Sequence, residues 1–381
     1  MDVERFKANV DQAVLDDLRE RLERTRFPGQ LDDAQWSYGT ELGYLRELVD
    51  YWINDFDWRA VEARLNSFDH YTALVDGRRQ HFIHQRSQHD DAMPLVLTHG
   101  WPGSVLEFMD VIGPLTDPTA HGGQAADAFH VVCPAIPGYG FSEAPSQAGF
   151  DIRRVGACNA ELMEGLGYSR YGAQGGDWGA IATSWLGLDD SEHCAGLHLN
   201  MVVAAPPEGD DMQGLSDREN EGLAAMAEFM EEGAGYQAIQ GTRPQTLGYG
   251  LNDSPAGLAA WIVEKFHAWS DCDGRVENRF SKDQLLANIT LYWVTGSITS
   301  STRLYCETRR AGRFGALPEK IKVPTGCAIF PRELFRPPRR WAEAAYNVVH
   351  WSEMDSGGHF AAMEEPAALV EDMRTFFRQL R

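Results

Sequence analysis

The sequence has no C-x-x-C pair, no serine in a G-x-S-x-G turn and no apolar run long enough to cross a bilayer. Each absence closes off a class. The six cysteines, Cys133, Cys158, Cys194, Cys272, Cys306 and Cys327, show no zinc-like spacing with histidine, so they read as reduced thiols filling the core. No metal site is expected. Without a serine elbow, a serine esterase has no nucleophile to use. Basic residues are scarce: 34 Lys and Arg stand against 56 Asp and Glu, a formal charge of −22 spread along the chain. Such a surface repels phosphate backbones and anionic lipid, so neither nucleic-acid nor membrane binding is expected. The opening MDVERFKANVDQ lacks the apolar stretch of a secretory signal, so the expected location is cytoplasmic.

What is present is the material for a large core: 43% apolar residues and 11% aromatics in 381 residues. That length fits one large α/β domain carrying an insertion. Residues 1–68 read as a helical extension packing on the core, because Val14, Leu15, Leu18 and Leu22, then Leu45, Leu48, Val49 and Trp52, recur on single helical faces. The period then changes. FDHYTALV and RRQHFIHQR flank Asp76-Gly77 as a β-hairpin, and strands at Pro94–Leu97, Phe129–Val132 and Tyr171 onward each lead into a glycine-rich turn. From about 205 to 315 the pattern is helical, with Ser254-Pro255 and the Ser281/Gln284 capping box as start signals. Strand signals resume at VPTGCAIF and YNVVHW, and a helix follows from about Pro366. The expected architecture is a mostly parallel α/β sheet with helices on both faces, formed by 69–204 and 316–381, and interrupted by a helical cap at 205–315.

The strongest local signal is Gly175-Gly176-Asp177-Trp178-Gly179, a nucleophile elbow with Asp in the usual Ser position. Glycines relieve the crowding of a sharp strand-to-helix turn, and the helix N-terminus keeps a carboxylate ionised, as an attacking Asp requires. The plainer alternative is an Asp that merely caps the helix. Upstream, His99-Gly100-Trp101-Pro102-Gly103-Ser104 forms a tight turn. There, one backbone N–H, with that of Trp178, is a candidate oxyanion hole, and His99 reads as a residue fixing the loop. In an α/β-hydrolase the acid follows the strand after the cap and the histidine follows the last strand. Glu333 and His359 fill those slots. Asp355 is a rival acid, and Glu333 is preferred because it immediately follows its strand.

HGWPGS, PGYGFS, GGDWG, LNDSPAGLAAW, FPREL and GGHFAAMEEP together resemble the microsomal-type epoxide hydrolases, a family of the α/β-hydrolase fold that includes the juvenile hormone epoxide hydrolases. The resemblance runs over nearly the whole chain. It implies two cap tyrosines that bind and protonate an epoxide oxygen, matching Tyr236 in the Gly-Tyr pair before Thr242-Arg243-Pro244 and Tyr305 in SSTRLYCE. The residues themselves single out neither among twelve tyrosines. Vertebrate members carry an N-terminal membrane anchor, and this sequence starts directly in an amphipathic stretch, so a membrane role is not expected to transfer.

The resemblance implies conversion of an epoxide and water to a vicinal diol. Asp177 would form a covalent ester and His359, oriented by Glu333, would activate the water, with no cofactor. The partners expected are water and a small apolar or aromatic epoxide, the cap aromatics Trp261, Trp269, Trp293 and Tyr249 suggesting an apolar pocket. A homodimer stays open, as does the role in detoxification, catabolism or biosynthesis. The main alternative is a haloalkane dehalogenase, which shares the Asp-Trp pair; a non-catalytic ligand-binding relative is the other.

Overall fold

The computed structural model describes residues 1–315 and 317–381. Its strands are β1 (Val3–Arg5), β2 (His70–Val75), β3 (Arg78–Gln85), β4 (Met93–Thr98), β5 (Phe129–Pro134), β6 (Tyr171–Gly175), β7 (Cys194–Leu199), β8 (Pro324–Ile329) and β9 (Asn347–Glu353). Among the described residues these form one sheet in the order β1-β2-β3-β5-β4-β6-β7-β8-β9. The β2–β3 hairpin turns at Asp76 and Gly77, both with positive φ (48° and 71°), which matches the twist of its strands. β1 to β3 are antiparallel, as is the β3–β5 pair, and every pairing from β5 to β9 is parallel.

Strand order reverses at β4. The chain steps from β4 outward to β5, then crosses back to β6 on the other side, so the turns after β4 and β6 open side by side. A ligand crevice belongs at such a reversal, beyond the carboxyl ends of the strands. This topology sets the HGWPGS turn beside the elbow.

Small residues on the strands let helices approach the sheet closely. A Cβ on Gly172 would lie 2.5 Å from Phe377, and one on Gly326 would lie 2.8 Å from Phe376, both on the terminal helix Pro366–Phe377. Between β7 and β8, among the described residues, lie six α-helices from Asp217–Glu228 to Ile298–Arg310, including Pro255–Trp269 with its Ser254 cap and Lys282–Thr295 with its Ser281/Gln284 box. The expected segment boundary at residue 316 lies outside the described residues.

Two local readings need correction. The N-terminal extension is not all helix: Val3–Arg5 adds an edge strand to the sheet. β7 also escaped the strand pattern, because Gly196 and His198 dilute its apolar character; at Gly196 a Cβ would meet Leu380 at 2.3 Å. The extension's helices Gln12–Glu23 and Leu42–Asn54, with the residues around them, reach the helices between β7 and β8 as well as the core. Arg21 donates to Asp253 at 2.7 Å, Tyr51 to Asp283 at 3.1 Å, and Thr40 to the Ala260 carbonyl at 2.6 Å.

Candidate active site

Asp177 is the first residue of the helix Asp177–Asp189 and has φ = +49°. A residue other than glycine rarely adopts this left-handed conformation, and here the flanking glycines make room for it. A Cβ at Gly175 would sit 2.2 Å from the Gly179 carbonyl oxygen, one at Gly176 2.5 Å from Asn200, and one at Gly179 1.8 Å from the Thr98 carbonyl oxygen. An ordinary helix cap has extended backbone. The turn thrusts the carboxylate upward from the sheet instead.

The Trp101 N–H donates to Asp177 Oδ1 at 2.7 Å, and at Gly100 any Cβ would collide with Asp177 at 2.3 Å. His99 fixes this loop, as its position suggested. Its Nε2 accepts from the Ile136 N–H at 3.2 Å, and its Nδ1 lies 3.0 Å from the Gly100 carbonyl. Burial pushes this imidazole down to about 4, so it stays neutral. Trp178, the other expected N–H donor, adjoins Asp177, yet among the described residues only the Trp101 N–H bonds the carboxylate.

Glu333, after β8, accepts from the Leu334 N–H at 2.6 Å and lies 2.8 Å from His359 Nδ1. The loops carrying them meet in a bridge between Arg332 and Gly358. His359 Nε2 faces Asp177 Oδ2 at 3.3 Å without the alignment of a hydrogen bond. Both His359 and Glu333 are buried, whereas Asp355 is exposed. Burial by itself would depress the imidazole; the Glu333 charge, with Asp177, outweighs it and holds His359 well above its usual value.

Tyr236 and Tyr305 come together over this centre from the helices Gly235–Gln240 and Ile298–Arg310, between β7 and β8, their rings 5.8 Å apart at 78°. Tyr236 stacks on Trp101 at 5.3 Å and 9°, and Tyr305 stands edge-on to Trp178 at 4.7 Å. Burial, reinforced by the Asp177 charge, pushes both phenols well above their usual value, so both remain proton donors. Of the four aromatics expected to line the pocket, Trp269 packs on Trp101, Tyr236 and His359, whereas half-buried Trp261 donates to Gln240 at 2.9 Å, Tyr249 is exposed and Trp293 lies under Arg21. The expected aromatic wall therefore narrows to Trp269 among those four.

Two residues of the site went unremarked in the sequence. Glu107 and Gln174 line a cavity with Asp177 and His359. The spacing of Glu107, three residues after Ser104, is that of a capping box, which masks it as a helix signal. Among the described residues no three His, Cys, Asp or Glu side chains are grouped as metal ligands, all six cysteines are buried and unpaired, and no helix is long and apolar enough to cross a membrane.

Comparison with known proteins places this geometry. Residues 3–108 match the family profile described as epoxide hydrolase N terminus, and residues 93–225 match that of the alpha/beta hydrolase fold. Epoxide hydrolase 1 of Sus scrofa is 39% identical over 398 residues, covering 97% of this chain and 87% of that protein. The chain belongs to the epoxide hydrolase family. Two solved epoxide hydrolases superimpose over its full length. That of Aspergillus niger has a TM-score of 0.90 with 33% identity, 97% of that chain being covered. The juvenile hormone epoxide hydrolase of Bombyx mori has a TM-score of 0.92 with 31% identity, 95% of that chain being covered. The fold is thus that of the α/β-hydrolases, and the chain is an enzyme.

Proposed function

We propose that this epoxide hydrolase forms a covalent ester on Asp177 and then hydrolyses it to release a vicinal diol. A strained ring still leaves as a poor alkoxide, so the carbon needs a nucleophile while the oxygen receives a proton. Asp177 Oδ2 attacks, Oδ1 being held by Trp101, as Tyr236 or Tyr305 protonates the epoxide oxygen. His359 then activates water against the ester, and the N–H groups of Trp101 and Trp178 hold the oxyanion. The carrying observation is that two buried, protonated phenols, 5.8 Å apart, stand over the Trp101 and Trp178 rings that flank Asp177. That pair suits an epoxide oxygen better than a halide, and the buried rings of Trp101, Trp178 and Trp269 suit an apolar or aromatic substrate.

The tyrosines are the place to test this. Wild type should yield diol from styrene oxide and no halide from short haloalkanes. Either single Tyr→Phe variant should lose about 10- to 100-fold in the ester-forming rate, and the double variant 10³-fold or more, roughly the scale of general acid catalysis. Halide release without diol, or a double Phe variant with wild-type ring opening, would sink the reading.

A further inference from the structure

One side of Asp177 borders a largely enclosed cavity of about 20 Å³, lined among others by Thr98, Glu107, Gln174, Asn200 and His359, with neither tyrosine on its wall. A polar space of roughly 10–15 Å³ seats one water, which needs two to four polar partners. Two partners are ready there. His359 Nε2 and Gln174 Oε1 are buried, and neither has a hydrogen-bond partner among the described residues. Gln174 is fixed by its own Nε2, which donates to Asn200 Oδ1 at 2.7 Å.

Glu107 stands on the same wall. It sits in the short 3-10 turn Val105–Phe108, and its carboxyl folds back over Gly103, where a Cβ would lie 1.2 Å from Oε1. Gly103 is thus what admits this carboxyl to the site. Burial, helped by the Asp177 charge and opposed by His359, pushes it up to about 8. At neutral pH it is mainly a neutral hydrogen-bonding group, and His359 is the base once ester formation removes the Asp177 charge that helps hold its proton.

We propose that this cavity seats the hydrolytic water and that Glu107 is its positioning residue. This rests on the ester reading above. One water proton passes to His359 Nε2 while the water oxygen bonds to Asp177 Cγ; the second O–H is held by the Glu107 carbonyl oxygen, with Gln174 Oε1 beside it. The tetrahedral centre then expels the diol oxygen, which takes the proton from His359. One oxygen of the water stays in the Asp177 carboxyl group; its remaining proton is lost through solvent, which returns one to the tyrosinate left by ring opening, so both carboxylate and phenol are restored.

The test is single-turnover kinetics with styrene oxide, following the mass of the Asp177 peptide, on wild type, Glu107→Gln, Glu107→Leu and His359→Gln. Glu107→Leu should form the ester at the wild-type rate and hydrolyse it about 100-fold more slowly, the scale of a misplaced reactant. Glu107→Gln, which keeps a neutral carbonyl acceptor, should stay within about fivefold of wild type, well short of that loss. Equal loss of both steps in Glu107→Leu, unchanged hydrolysis in it, or a Gln variant as slow as Leu would each overturn the role of Glu107. His359→Gln is the control: accumulated ester supports the covalent route, and its absence would bring down the ester reading itself, apart from any result at Glu107.

Discussion

Two histidine–carboxylate clusters border the same sheet, and they differ in whether an unpaired ring nitrogen, His359 Nε2 in one and His198 Nδ1 in the other, meets a cavity. In the first, His359 sits between Glu333 at 2.8 Å and Asp177 at 3.3 Å, with its Nε2 uncommitted beside a cavity. In the second, Asp372 on the terminal helix lies 2.8 Å from Nε2 of both His198 and His350, and Ser352 Oγ donates to it at 2.5 Å. Burial would raise Asp372, but the hydrogen bonds from His198 and His350 win and hold it well below the usual carboxylate value. That carboxylate is saturated, and it ties β7 and β9 to the terminal helix. Proximity of Asp to His therefore does not make a catalytic site; an unsatisfied atom facing open space does.

The comparison can be broken at either cluster. The largest effect is expected for Asp177→Asn, which should lower kcat by about 10⁴-fold or more while leaving the melting temperature and ligand binding near wild type. Turnover surviving at wild-type level would return Asp177 to the status of a structural residue like Asp372.

Glu333→Gln should cost about 10²- to 10⁴-fold in kcat, on the scale of losing the residue that orients a catalytic histidine. It also has a pH signature. Burial depresses the imidazole and the Glu333 charge opposes that, so removing the charge lowers the His359 pKa. The limb in which ester hydrolysis rises with pH should move to lower pH; a shift the other way would contradict the electrostatic account.

Asp372→Asn should do the reverse, leaving kcat unchanged and lowering stability by about 2 to 4 kcal/mol in denaturant titrations at neutral pH. The folded pKa is depressed, so this stabilisation is fully present above the unfolded value of about 4 and is lost as pH falls below it. The variant should accordingly lose part of the acid dependence of wild-type unfolding. Ser352→Ala, which removes one donor from a carboxylate that keeps two others, should cost about 1 kcal/mol. A fall in kcat from either change would mean that the second cluster communicates with the first.

The elbow was legible because its cause is local. Gly175, Gly176 and Gly179 are crowded within one turn, and that crowding is written in adjacent letters. Glu333 and His359 were legible through chain order, since each lies in the loop that follows its strand. Glu107 was not, because it is contiguous with the HGWPGS turn and its spacing mimics a cap. Trp269 was read as one of four equivalent cap aromatics, and only packing separates it from Tyr249 on the surface. Tyr236 and Tyr305 were known through family resemblance alone, as nothing in their neighbours sets them apart.

The sequence by itself determined Asp177: the glycines that permit its left-handed turn, the helix that receives it and the absence of a serine rival. Those are short-range steric facts, and adjacent residues suffice to state them. Tertiary structure decided everything that depends on which distant groups share a space. Reversal of strand order at β4 set Trp101 against Asp177, while the loop after β9 brought His359 to one side and the helices between β7 and β8 brought the two phenols to another. It also left His359 Nε2 open to a cavity while closing Asp372 with three donors. Burial, charge and satisfied hydrogen bonds are properties of that shared space, which is why one histidine–carboxylate pair can do chemistry and the other holds a helix to a sheet.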